Sequence, residues 1–174
     1  MKSVNRVVFT GPESCGKSFS SQFVAKNMNL SWVKEYAREY LEQLNRNYTM
    51  QDVLNIAQGQ IALETELRKI SIKPLICDTD LTVIYVWLKF KYDIIDDFVI
   101  DELKKKATKS FYFLCYPDLP WEPDPLRENP NTRMELFEMY EALLNELNTK
   151  YFVLKGSLEQ RNKICIDIMN EISQ

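Results

Sequence analysis

RVVFTGPESCGKSFSSQF, residues 6–23, passes from a β-branched apolar run into a glycine-bounded turn, then into a segment with Phe19 and Phe23 at helical spacing. Its centre, Gly11 to Ser18, matches the pattern G-x-x-x-x-G-K-[ST] between a strand and a helix. Gly11 and Gly16 permit backbone angles and close approaches that a Cβ would obstruct, so successive N–H groups can turn toward phosphate oxygens. Pro12, Glu13, Ser14 and Cys15 complete the cradle, and the helix that follows adds the positive end of its dipole. Lys17 is placed to reach the β- and γ-phosphates of a nucleotide, and Ser18 to offer its hydroxyl to magnesium. ATP and Mg2+ are therefore the expected ligands.

Outward from this stretch, four further apolar runs read as buried strands: Leu30 to Val33, Leu75 to Asp78, Phe111 to Cys115, and Tyr151 to Leu154. Helical periodicity fills the gaps, with Val53, Ile56, Ala57, Ile61 and Leu67 in one segment and Phe137, Tyr140, Leu144 and Leu147 in another. Leu158, Ile164, Cys165, Ile168 and Ile172 form a last one. A β-α order repeated five times predicts an α/β fold of the P-loop NTPase type. It has three α/β/α layers and a mainly parallel five-stranded sheet whose carboxyl edge binds ligands. One domain spanning residues 1–174 is expected.

Composition narrows the partners. Hydrophobic residues make up 45% and charged residues 27%, and no apolar run approaches the ~20 residues that cross a bilayer. The first residues lack a secretory h-region, so a cytoplasmic protein without a membrane partner is expected. A net charge of -3 offers no electrostatic reason for a nucleic-acid partner. With no histidine present, carboxylates, Lys and Arg must carry any acid, base or charge-stabilising role. Four scattered cysteines suggest reduced core residues, and a homo-oligomer is left open.

The third strand ends in PLICDTD, which sets Asp78 at its carboxyl end and Asp80 two residues later. One carboxylate is expected to serve the metal and the other to accept the proton of an attacking hydroxyl, with the two roles unassigned. Asp80 also suits a helix N-cap. After the second strand, KEYAREY (residues 34–40) brings Glu35, Tyr36 and Arg38 to the same edge, either as ligand contacts or as an ordinary amphipathic helix. Gly59 reads as a helix-packing contact. Between residues 116 and 133, five prolines interrupt any regular element, and a loop this long suits a lid. Arg127 and Arg133 are candidates for stabilising a transferring phosphoryl group, against the alternative of surface ion pairs. Trp121 is a candidate for stacking on a flat or cationic ligand, or an anchor for the loop.

Together GPESCGKS, VKEYAREYLEQ, IAQGQ, ICDTDL and CYPDLPWEPDPLRENP, with Arg133 beyond, resemble the ribosylnicotinamide kinase domain of the bacterial NadR type, over residues 4 to about 161. The resemblance implies ATP- and magnesium-dependent phosphorylation of the 5′-hydroxyl of nicotinamide riboside, a step of NAD salvage. It implies acceptor contacts from Glu35, Tyr36, Arg38, Asp80 and Trp121. It also implies adenine-side contacts from the loop Lys155-Gly156-Ser157, with Ser157 as the candidate. The family's adenylyltransferase domain has no counterpart here, and Tyr92-Asp93 stands where glycine is expected. A kinase for another nucleoside or small metabolite, or a non-catalytic ATP-binding switch, are the competing readings.

Overall fold

A computed structural model describes residues 4–172, so residues 1–3 and 173–174 of the expected 1–174 domain lie outside the described residues. Five strands form the sheet: β1 (Arg6–Thr10), β2 (Trp32–Val33), β3 (Leu75–Asp78), β4 (Ser110–Cys115) and β5 (Lys150–Leu154). Their spatial order is β2-β3-β1-β4-β5 and every pairing is parallel. Parallel strands covered on both faces read as continuous apolar runs, and β1 and β4 are accordingly buried at every position.

Side-chain alternation then divides the core. Val7, Phe9, Ile76 and Phe113 point to the face covered by α1 (Lys17–Met28) and α7 (Leu158–Ile172), where Val24, Cys165 and Met169 meet them. Val8, Leu75, Cys77 and Tyr112 point the other way, toward Val86 of α4 (Leu81–Tyr92) and Leu136, Phe137 and Tyr140 of α6 (Arg133–Glu146). A third cluster joins α4 to α3 (Met50–Ile70) and α5 (Asp97–Ala107) through Val53, Ile56, Ile84, Leu88 and Leu103. The three layers of a P-loop α/β/α fold are all present.

The connections are richer than a simple β-α alternation. Two helices, α2 (Tyr36–Glu42) and α3, separate β2 from β3, and α4 and α5 separate β3 from β4. Local caps account for the added boundaries. Thr49 accepts from Asp52 N–H in a capping box that starts α3, and Asp96 accepts from Val99 N–H to start α5. The Tyr92-Asp93 position ends α4 with Asp93 in the left-handed region at φ 54°, a conformation Asp adopts at lower cost than most residues. Between Tyr116 and Thr132 the chain is irregular, as the prolines predict. No described helix is long and apolar enough to cross a membrane.

Register positions the site. In the β1–β3 ladder Phe9 pairs with Asp78, so the last residue of β3 stands one step before the loop that leaves β1. Central placement of β1 between β3 and β4 brings three carboxyl ends together.

Candidate active site

Gly11 to Ser18 leaves β1 and enters α1 through Gly16, whose φ of 77° and ψ of 16° place it in the left-handed region. Gly11 has φ 130°, and a Cβ there would stand 2.7 Å from the carbonyl oxygen of Cys115. The loop is therefore wedged against the end of β4, and only glycine fits. Arg161 of α7, fully buried, locks the same junction. It donates to the carbonyls of Cys15, Tyr116 and Gly156, each at 2.8 Å, and pairs with Asp118. An arginine in a helical run carries no sequence signal for such a role.

The Lys17 ammonium donates to the carbonyls of Gly11 at 3.0 Å and Pro12 at 2.6 Å, so it lies curled across the loop's inner rim. Burial opposes its charge, yet the neighbouring Cys15, Glu35 and Asp78 outweigh this and hold its pKa above the usual lysine value. Asp78 is buried, and its Oδ1 has no hydrogen-bond partner. Burial first, then the like charge of Glu35, push this carboxyl up to about 6 against the opposing Ser18 hydroxyl and Lys17. A buried, orphaned carboxylate oxygen beside a serine hydroxyl is an oxygen pair suited to a divalent cation, while the Lys17 ammonium suits phosphate oxygens. Among the described residues no group of three or more His, Cys, Asp or Glu could hold a metal. Mg2+ fits such a site because it takes one or two protein ligands and completes its shell with water and phosphate oxygens.

A cavity of about 690 Å³ runs from this cradle beneath the 116–132 segment, within the size range of small-molecule sites. Glu35, Arg38 and Arg127 line it. So do Tyr48, Trp87, Lys91, Glu128 and Tyr140, which periodicity alone assigned to helix faces or left unremarked. The 116–132 segment, the expected lid, is tied down by the cradle itself. Glu13 accepts from the N–H groups of Glu128 and Asn129, and Ser14 Oγ accepts from Glu122 N–H at 2.8 Å. Arg38 reaches across to Asp124 at 2.8 Å.

Five residues that the sequence singles out stand elsewhere than expected, each for a visible reason. Asp80 is spent inside the protein: its Oδ2 accepts from Arg6 at 2.8 Å and Tyr112 at 2.9 Å, and its Oδ1 caps α4 through Thr82. It can serve neither metal nor acceptor. Trp121 does not line the cavity; its ring lies 5.8 Å from the Arg133 guanidinium. Arg133, bonded to the carbonyls of Ser14 and Leu119, braces the lid base instead of facing the ligand space. Tyr36 is turned onto α3, where a Cβ on Gly59 would meet its ring at 2.0 Å, and its N–H donates to Gln60. Ser157 is exposed and accepts from Gln160 N–H at 3.3 Å at the start of α7, while its neighbour Leu158 lines the cavity.

Fold and cradle together define a P-loop α/β domain. The chain belongs to the AAA_28 family of AAA domains, whose model matches residues 6–161. No curated protein sequence matches it. Among solved structures it is similar to NadR protein in complex with NR, at 24% identity and TM-score 0.72, covering 97% of this chain and 52% of that one. NadR protein in complex with NAD and AMP-PNP gives 22% identity and TM-score 0.71, covering 97% and 50%. The chain thus spans about half the length of these NadR chains. Deoxyadenosine kinase from M. mycoides with bound dCTP matches at 16% identity and TM-score 0.61, covering 95% of this chain and 99% of that one.

Proposed function

We propose that the protein is an ATP-dependent kinase that phosphorylates the 5′-hydroxyl of nicotinamide riboside. The observation that carries the reading is the pairing, in one cavity beneath the 116–132 segment, of a phosphate cradle with an aromatic wall that includes Tyr48, Trp87, Phe90 and Tyr140. A cradle alone would suit any nucleotide hydrolase; the wall gives a second, nucleoside-sized ligand somewhere to lie. The likeness to a NadR structure holding NR and to a nucleoside kinase supports the same choice.

Residue roles follow from position. Backbone amides of the 11–18 loop hold the polyphosphate, and Lys17 moves from the Gly11 and Pro12 carbonyls to the β- and γ-oxygens. Ser18 and Asp78 would hold magnesium, which when bound neutralises charge on the transferring phosphoryl group. With Asp80 withdrawn into its buried pairs and Glu13 accepting from the Glu128 and Asn129 N–H groups, Glu35 is the cavity carboxylate near Lys17 left to accept the hydroxyl proton. The acceptor oxygen forms its bond to the γ-phosphorus while the bond to the β–γ bridging oxygen breaks, releasing ADP. Arg127, already on the lid and lining the cavity, stabilises the spreading negative charge.

The test is ADP release by the full chain with ATP, magnesium and either nicotinamide riboside or no acceptor, with the phosphorylated product identified by mass. Stimulation of at least tenfold, abolished in Lys17→Ala, is expected. Slow hydrolysis indifferent to nicotinamide riboside would overturn the assignment.

A further inference from the structure

In the cavity lining beneath the 116–132 segment, four side chains from three segments meet and take no part in phosphoryl transfer. Tyr48 precedes α3, Trp87 and Lys91 stand one turn apart on α4, and Glu128 hangs from the lid. The Tyr48 hydroxyl donates to Glu128 Oε2 at 2.6 Å, and the Lys91 ammonium reaches the same oxygen at 2.9 Å. Trp87 Nε1–H donates to the Tyr48 oxygen at 3.1 Å, and the two rings meet edge to face with centroids 4.9 Å apart. Lys91 also lies 4.1 Å from the centre of the Tyr48 ring. Burial opposes ionisation of Glu128, but Tyr48 and Lys91 outweigh it and hold the carboxyl below its usual range, so it is charged at neutral pH.

The cavity lining therefore sets, beside two rings packed edge to face, a full cation that only donates and a full anion that only accepts. A ring substituent that satisfies both must present an acceptor and a donor on one carbon, which a primary carboxamide does. A carboxylate of the same shape offers acceptors alone and meets Glu128 as a like charge. Because the two substituents are nearly isosteric, pocket shape cannot separate them and the charged pair must. Opening the Lys91–Glu128 pair to admit the substituent costs little, since both side chains are more than a third exposed and solvent screens such pairs.

We propose that Lys91 and Glu128, seated on Tyr48 and Trp87, are the specificity-determining residues that select a carboxamide over a carboxylate on the acceptor ring. This rests on the kinase reading above. Lys91 donates to the carboxamide oxygen, and Glu128 accepts from its NH2 group.

The test is kcat/KM for nicotinamide riboside and for nicotinic acid riboside in wild type, Glu128→Gln and Lys91→Met, with melting temperatures recorded for all three. Wild type should favour the carboxamide at least tenfold. Glu128→Gln should shrink that ratio at least tenfold, because the repulsion is gone. Lys91→Met should weaken both acceptors and widen the ratio. Folded variants whose ratio equals the wild-type value would overturn the proposal while leaving the kinase reading intact. A wild type that phosphorylates neither riboside yet accepts another nucleoside would overturn both.

Discussion

Asp78 answers two opposed demands, and the conflict is measurable. An unfolded aspartate ionises near 3.9, whereas burial and Glu35 push this one up to about 6. Between those values the native state keeps a proton that the unfolded chain has lost, so stability falls as pH rises through the window and levels off above it. The ionised side chain thus costs on the order of 2–3 kcal/mol at neutral pH in the absence of a bound cation. Asp78→Asn is expected to melt several degrees higher than wild type at pH 7.5, with a gap that narrows toward pH 4.5. The same variant should lose at least a hundredfold in ADP-forming turnover. A melting difference that does not change with pH would mean the orphaned oxygen has a partner.

At the scale of elements, the cradle is held less by its own turn than by what it leans on. Gly11 abuts the Cys115 carbonyl, Cys15 is fastened through its carbonyl by Arg161, and Glu13 and Ser14 are fastened to the lid. Three elements thus share one loop's geometry. Gly11→Ala puts a Cβ into β4 backbone that cannot swing aside, at a φ that costs an L-residue about 1–3 kcal/mol besides the overlap. Binding of a fluorescent ATP analogue should weaken at least tenfold in that variant, and its melting temperature should drop. Unchanged affinity would show that the loop tolerates displacement from β4. The lid contacts are individually modest: the Arg38–Asp124 pair is partly exposed and contributes about 1 kcal/mol or less. Their effect is to set where Arg127 and Glu128 stand.

For the molecule as a whole, a buried polar network crosses the layer between sheet and helices. Arg6 of β1 pairs with Asp80 and Glu64, Lys106 of α5 pairs with Glu64, and Tyr112 of β4 donates to Asp80. Burial opposes the Arg6 charge, but Glu64 and Asp80 outweigh it and raise its pKa well above the usual arginine value. Removing one partner leaves that cation short of compensation, at a cost of about 3–5 kcal/mol. Asp80→Ala should accordingly lower the melting temperature by about 10 °C. Its KM for ATP, measured well below that temperature, should stay near wild type. A collapse of turnover in the still-folded variant would return Asp80 to the reacting groups.

The local pattern of the chain determined the strand-loop-helix cradle, all five strand positions, and the irregular segment at 116–132, because each depends on near-neighbour chemistry: β-branched runs, paired glycines, clustered prolines. Glu35, Arg38 and Arg127 were legible as cavity residues because each lies next to a strand end or on the proline-rich loop. Packing alone decided the rest. Asp80 and Trp121 carry the same sequence signal as functional residues, yet a buried arginine 74 positions away claims one and Arg133 lies over the ring of the other. Tyr48, Trp87, Lys91 and Glu128 come from separate segments of the chain, and no period or spacing links them. They meet only because the 116–132 segment folds back over α4, and long-range contacts of that kind are written in three dimensions, not along the chain.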